Sequence, residues 1–360
     1  MPDSNALPVH AERWAALGPY YAMFPLEFVK NIVKTYTTYQ DSVLDPFAGR
    51  GSSIFIASAL GRVGAGVEIS PVGWVYSKVK IAPASPSKVT ERMREVIALS
   101  GHYKDVAQGL PVFFKYCYSK DVLNFLIAAR ENLDWKANKT DRSLMAILLV
   151  YLHGKYNQSL SNQMRQTKAM SPEYSIQWWK EQTLSPPNID IKDFLNKRIK
   201  WRYELGYKNY TDAYIAFGDA RKKLCSLPGE GYKLLLTSPP YFGVTNYHYD
   251  QWLRLWLLGA PSIPVTKKGN LSNRFGNEDE YIDLLEAVFE TSAELMRKDS
   301  VIYVRTDARE FTLDVTLDAL RDAFPKKKMR IEMHPLKKLS QTGLFGDKSP
   351  KPGEVDVILR

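Results

Sequence analysis

Two short stretches carry residue types that could do chemistry. The first is DPFAGRG, Asp45–Gly51, which follows the apolar pair Val43–Leu44 and precedes the apolar run Ser52–Leu60. Glycines at 49 and 51 let the backbone turn tightly and approach a ligand closely. A turn between a strand and a helix, at the carboxyl end of the strand, is where an open α/β sheet meets a nucleotide-like ligand. The turn is not G-x-G-x-x-G, and Asp45 stands immediately before it, where a pyrophosphate would be repelled. A ligand bearing an amine and a sulfonium would be attracted. Glu68 closes the next apolar run, GRVGAGVEIS, where a carboxylate can accept from ribose hydroxyls. Acid before the turn and acid after the second strand suit S-adenosylmethionine (AdoMet). The alternative is a plain glycine turn in a Rossmann-like sheet with no ligand.

The second stretch is TSPPY, Thr237–Tyr241, after the apolar Leu234–Leu236. Two prolines cannot continue a ladder, because each lacks an N–H, and they stiffen the chain at the strand's end. That backbone would present the Ser238 hydroxyl and the Pro239 carbonyl as fixed acceptors, with the Tyr241 ring beside them. Such a set suits a planar base with an exocyclic amine: the acceptors take its N–H groups and the ring stacks on it. An exocyclic amine is a poor nucleophile while its lone pair is delocalised into the ring. Hydrogen bonds from both N–H groups favour a pyramidal nitrogen, and a sulfonium methyl held in line can then be transferred directly. No covalent intermediate is needed, unlike carbon-5 cytosine methylation, which requires an attacking cysteine. Cys117 (YCYS) and Cys225 (LCSL) stand far apart, neither in a metal-ligand spacing nor near the pocket stretch, so no metal is expected.

These stretches need a sheet to bring them together. Strand, glycine turn, helix and strand over Val43–Glu68 open a doubly wound α/β sheet. The pattern breaks after Ile81 at the Pro/Ser-rich PASPSK and reads mainly helical to about Tyr210. Helices are predicted there over Ser119–Asn132, Ser143–His153 and the basic Ile191–Tyr203. Strands resume with AYIAFGDA, KLLLTSPPY, SVIYVRTD, MRIEMH and EVDVILR, and helices are predicted over Asp279–Met296 and Thr312–Phe324. Two strands before the helical block and five after it make a seven-stranded, Rossmann-like α/β domain of residues 1–82 and 213–360, with 83–212 as a mainly helical insertion.

The sequence holds 49 Lys and Arg against 39 Asp and Glu, a net charge of +10, which is compatible with a polyanion partner. Hydrophobic residues at 45% and charged ones at 24% exclude a disordered or collagen-like chain. No apolar run approaches the roughly 20 residues needed to cross a bilayer, and MPDSNALPVH is not a secretory signal. A soluble, cytoplasmic protein is the expectation.

DPFAGRG, Glu68, GDA (Gly218–Ala220) and TSPPY together resemble the amino-methylating DNA methyltransferases, which make N4-methylcytosine or N6-methyladenine. The resemblance covers about residues 20–82 and 210–360. It implies a seven-stranded Rossmann-like fold using AdoMet on a base flipped out of duplex DNA. Residue by residue, Phe24, Pro25, Asp45, Phe47, Gly49 and Gly51 would line the cofactor's methionine end. Glu68 would hold the ribose, and Asp219 would lie near the adenine. Ser238, Pro239, Pro240 and Tyr241 would form the target-base pocket. Serine at the first position of this element resembles the cytosine-N4 enzymes more than the adenine ones, where aspartate dominates; N6-adenine and RNA amino-methylation stay open. The resemblance further implies a restriction–modification setting, a possible cognate endonuclease on a separate chain, and a prokaryotic, nucleoid-associated protein. Candidate DNA-contacting surfaces are the insertion and the loop after Tyr241, with Lys267, Lys268, Asn273 and Arg274 as phosphate and base-edge contacts. The stretch Ser159–Trp179 (SLSNQMRQTKAMSPEYSIQWW) looks like an insert of uncharacterised members and takes no role; Trp178 and Trp179 are expected in its core.

Overall fold

In a computed structural model, which describes residues 7–19, 24–229, 231–243, 247–264, 277–334 and 353–360, the runs on either side of the glycine turn are neighbouring strands. β1 (Ser42–Asp45) and β2 (Val63–Glu68) pair in parallel, with Asp45 opposite Gly66. Parallel neighbours need a crossover, and the helix Ser52–Ala59 provides it. After the helical insertion come β3 (Ala213–Phe217), β4 (Tyr232–Thr237), β5 (Met296–Asp307), β6 (Met329–His334) and β7 (Glu354–Leu359). They form one seven-stranded sheet in the order β3-β2-β1-β4-β5-β7-β6. β7 runs antiparallel to both β5 and β6, and the strands from β3 to β5 are parallel. The expected strand count and the α/β, Rossmann-like class are both observed. The order reverses between β1 and β4, the switch point at which such sheets open a crevice, and the two chemistry-bearing stretches leave these two strands.

Both faces of the sheet are covered, so its strands read as continuous apolar runs rather than as alternation. Successive residues still point to opposite sides. Val43, Leu234 and Leu236 enter the core under one face, while Leu44, Leu235 and Ile302 enter the core under the other. The helices Glu278–Leu295 and Glu310–Ala323 cover the second face through Leu285, Phe289 and Leu320.

The first face carries the insertion. Helices Pro86–Leu99, Lys120–Asn132, Lys139–Tyr151, Pro172–Glu181 and Ile191–Tyr203 lie between β2 and β3. Their apolar side is continuous with the core of that face. Leu144, Ile147 and Leu148 belong to the same buried cluster as Val75 and Val79 of the helix Pro71–Ile81. The ends of the insertion are tied together, because the Tyr210 N–H donates to the Ile81 carbonyl at 2.8 Å and the Tyr203 hydroxyl to the Ala84 carbonyl at 2.9 Å. Among the described residues no helix is long and apolar enough to cross a membrane.

Gly66 shows how closely β1 and β2 approach: a Cβ there would lie 2.4 Å from the backbone oxygen of Asp45. A side chain would push apart the two strands that carry the acidic groups. Gly66→Ala is therefore expected to destabilise the protein by about 1–3 kcal/mol, read as a lowered urea midpoint; an unchanged midpoint would mean that the strands relax without cost.

Candidate functional site

The site is built at the carboxyl ends of β1 and β4. Asp45 ends β1 with its side chain almost wholly buried. Its Oδ1 accepts from the Phe47 N–H at 3.1 Å and from the Thr237 hydroxyl at 2.6 Å, and its Oδ2 accepts from the Ser53 hydroxyl. A carboxylate offers about four lone-pair sites, so three donors leave it little spare capacity. Asp45 thus holds the glycine turn, the start of the following helix and the end of β4 in one arrangement. Thr237 is the last residue of β4 and is fully buried. Its hydroxyl joins DPFAGRG to SPPY across 192 residues of chain.

The SPPY segment has further anchors. The Tyr281 hydroxyl, from the helix Glu278–Leu295, donates to the Pro240 carbonyl at 2.9 Å. The ring of Phe242 packs against Tyr281 and Phe311, with centroids 5.5 and 4.6 Å away. The Ser238 hydroxyl donates to Tyr241 Oη at 3.5 Å, a long bond that leaves lone pairs on Ser238 Oγ to accept.

On the β1 side, Gly49 and Gly51 have φ of 55° and 69°, the left-handed region that favours glycine. A Cβ on Gly51 would also lie 2.7 Å from Ser77 Oγ. The turn is pinned underneath: the Ala48 N–H donates to the Val67 carbonyl at 3.0 Å, and Lys80 Nζ to the Arg50 carbonyl at 2.7 Å.

Phe24, Pro25, Asp45, Phe47, Gly49, Ser238 and Tyr241 line one cleft of about 150 Å³. Of the expected residues, those from DPFAGRG and those from SPPY therefore meet. Gly51, Pro239 and Pro240 do not line the cleft: Gly51 caps the helix behind it, and the prolines hold the segment from which Ser238 and Tyr241 project. Glu68 and Asp219 also lie outside it. Glu68 ends β2, is buried, and accepts from the Ser70 N–H at 2.6 Å. Asp219 follows β3, caps the short helix Ala220–Lys223 and pairs with Arg221 at 2.9 Å. In the observed order β3-β2-β1-β4, the residues 219, 68, 45 and 238 come at successive strand ends. At roughly 4.8 Å per strand the row spans about 14 Å, suited to an elongated ligand laid along the sheet edge. Lys267, Lys268, Asn273 and Arg274 lie outside the described residues.

Several groups at the site escape sequence reasoning. Arg305 and Glu354 line the cleft. Arg305 makes a paired contact with Asp356, at 2.6 and 2.7 Å, and its guanidinium sits 3.8 Å from the centre of the Phe28 ring. Asp356 also accepts from Tyr303 Oη at 2.7 Å and stands 2.8 Å from His334 Nε2. The alternation Glu354, Asp356 on β7 hinted at acids on one side of a strand. Only the antiparallel register, Arg305 opposite Asp356, makes the pair. Thr237 and Ser53 carried no signal beyond being hydroxyl residues beside the two stretches. Trp179 is buried as expected, Trp178 is partly buried against the same core, and both line a separate cavity in the insertion.

The sequence model of a family described as DNA methylase, of the N6 and N4 type, matches residues 3–72. That stretch holds Phe24, Pro25, Asp45, Phe47, Gly49, Gly51 and Glu68, and ends before TSPPY. The family match agrees with the resemblance to the amino-methylating DNA methyltransferases over that stretch, and AdoMet is that family's cofactor. No curated protein matches the chain. Among solved structures, the rRNA methyltransferase AviRa from Streptomyces viridochromogenes is 11% identical, with 100% of this chain and 93% of that one covered and a TM-score of 0.35. A TehB-like SAM-dependent methyltransferase from Corynebacterium glutamicum is 8% identical, with 91% and 84% covered and a TM-score of 0.33. A precorrin-6y C5,15-methyltransferase from Geobacter metallireducens is 9% identical, with 92% and 85% covered and a TM-score of 0.34. The family match and the sheet support the class, an AdoMet-dependent methyltransferase.

Burial pushes the Asp45 carboxyl up to about 6, against the hydrogen bonds from Ser53, Thr237 and Phe47. Burial, with a smaller contribution from the Asp45 charge, pushes Glu68 up to about 8. Both folded-state values exceed those of an unfolded chain, so the fold binds more protons than the unfolded state. Their contribution to stability is complete below about pH 4 and is lost as pH rises through 6 and then 8. A cationic ligand beside them favours the charged forms, so its binding releases protons and tightens over the same window. Asp45→Asn should flatten the part of the ligand-free stability profile near pH 6, and Glu68→Gln the part near pH 8, measured by urea unfolding at a series of pH values. Variant profiles parallel to wild type would remove these groups from the linkage.

Proposed function

We propose that the protein transfers a methyl group from AdoMet to the exocyclic N4 amine of a cytosine flipped out of duplex DNA. The observation that carries this reading is the Thr237–Asp45 hydrogen bond at 2.6 Å, which joins the cofactor-side turn and the SPPY segment in one cleft. The residues fit AdoMet in three respects. A buried carboxylate with a raised value awaits a positive charge. The glycines of the turn open the backbone to close approach. Two more acids stand at the next strand ends.

AdoMet supplies a methyl group on a cationic sulfur, and the chain supplies position. Ser238 Oγ, whose own proton is directed to Tyr241, accepts from one N–H of the amine. The Tyr241 ring stacks on the base, a contact worth about 1–3 kcal/mol for base–aromatic pairs. Tyr281 and Thr237 keep this acceptor from moving, so the nitrogen is presented in one orientation. The amine nitrogen would gain the methyl as the sulfur–methyl bond breaks and the sulfonium leaves as a neutral thioether, and the proton the nitrogen then sheds would pass by way of Ser238 Oγ to water. Neither Cys117 nor Cys225 lines the cleft, which agrees with direct transfer. DNA as the substrate rests on the family match. Cytosine over adenine rests on serine at position 238, and a restriction–modification pairing on the resemblance to the family alone.

Incubation with labelled AdoMet and genomic DNA, followed by digestion to nucleosides and mass analysis, should give N4-methylcytosine. N6-methyladenine would correct the base, and label found only in RNA would correct the polymer. Ser238→Ala should lower the transfer rate by roughly two orders of magnitude while AdoMet affinity stays within about twofold; transfer at the wild-type rate would remove Ser238 from the pocket.

A further inference from the structure

The stretch Ser159–Trp179, which the transfer chemistry leaves without a role, forms the wall of a second cavity. Its volume is about 860 Å³, within the roughly 300–1,000 Å³ of ligand sites. The lining is of three kinds: cations at Lys155, Arg165 and Arg198, amides at Gln158, Gln163 and Gln166, and aromatic rings including Tyr174 and Trp178. None of the residues that line it is acidic. Cations for phosphates, amides for base edges and rings for stacking are the chemistry of a nucleic-acid strand.

The cavity is held in place. Arg198 lies over the rings of Tyr151 and Phe194, 4.7 and 4.8 Å from their centres, and donates to the Gln158 carbonyl at 3.2 Å. Trp179 Nε1 donates to the Gln163 carbonyl at 2.6 Å. The wall is also clamped to the chain just beyond the SPPY segment. Gln251 Nε2 donates to the Thr167 carbonyl at 3.0 Å, and Trp252 Nε1 to the Met170 carbonyl at 3.1 Å. Lys168 pairs with Asp250 at 2.6 Å. Buried Arg254 binds the carbonyls of Gln166 and Leu149. A strand held in this cavity would therefore stand in a fixed relation to the transfer cleft.

We propose that the cavity walled by Ser159–Trp179 binds DNA outside the target base, with Tyr174 and Trp178 stacking on a base, Gln158 reading its edge, and Lys155 meeting the backbone. This rests on the DNA-methylating reading and adds a specificity site to it. Lys155, Gln158 and Tyr174 are exposed, so their replacement spares the core.

The test compares full-length wild type with Lys155→Ala/Gln158→Ala and Tyr174→Ala. Duplex binding is measured by fluorescence anisotropy over a salt series, and AdoMet affinity by calorimetry. Each variant should bind duplex about tenfold more weakly, with AdoMet affinity and thermal midpoint unchanged. The double variant should lose about one unit of salt slope. Sequence contexts of the methylated bases in genomic DNA should relax at one position for Gln158→Ala. Variants that bind duplex as wild type does overturn the proposal, as does RNA of the same sequence displacing the duplex. If Lys155→Ala/Gln158→Ala alters AdoMet binding, Tyr174→Ala decides by the same ratio. Should wild type methylate no DNA, the transfer reading fails, and the ratio of variant to wild-type duplex affinity still decides the cavity.

Discussion

The hydroxyl of Thr237 and the carboxylate of Asp45 meet at 2.6 Å, out of reach of solvent, between two parallel strands. Most of what the site can do follows from this contact. A buried carboxylate is costly unless hydrogen-bonded, and here the donors are a turn amide, a helix hydroxyl and a strand-end hydroxyl. Because each donor belongs to a different element, satisfying one acid aligns all three. Burial raises its value to about 6, and a cation placed beside it would favour the charged form.

The sheet makes that contact unavoidable. Strands β1 and β4 are neighbours at the point where the strand order reverses, the place at which such sheets open a crevice. The rest of the architecture stiffens the crevice walls. Tyr281 and Phe311 hold the proline segment from one face, and Arg305 with Glu354 closes the cleft from β5 and β7. Preorganised acceptors need no rearrangement when charge develops, and the two prolines alone would not provide that.

The insertion belongs to the same mechanical unit. Its core is continuous with one face of the sheet, and its cavity wall bonds to Asp250, Gln251, Trp252 and Arg254, shortly after the proline segment. A surface that reads DNA is useful to a transferase only if it holds the target in register with the reacting atoms, since small misplacements are costly in rate.

Much of this was legible in the residues. The seven strands, the helical block between them and the glycine turn follow from apolar runs and from glycine and proline, which act locally. Asp45 and Ser238 could be singled out because each stands beside such punctuation. Their meeting depends on β4 being inserted beside β1, a non-local pairing that no periodicity encodes. For the same reason Thr237 looked like any strand-end threonine, and Arg305 like any strand arginine, until the register set it opposite Asp356. The cavity in the insertion is the extreme case. Its wall is a loop whose backbone carbonyls are held by side chains 82 to 88 residues away. Carbonyls are common to every residue, so nothing local marks which of them will be gripped; apolar runs and punctuation name the elements and their chemistry, and long-range packing settles which groups share a space.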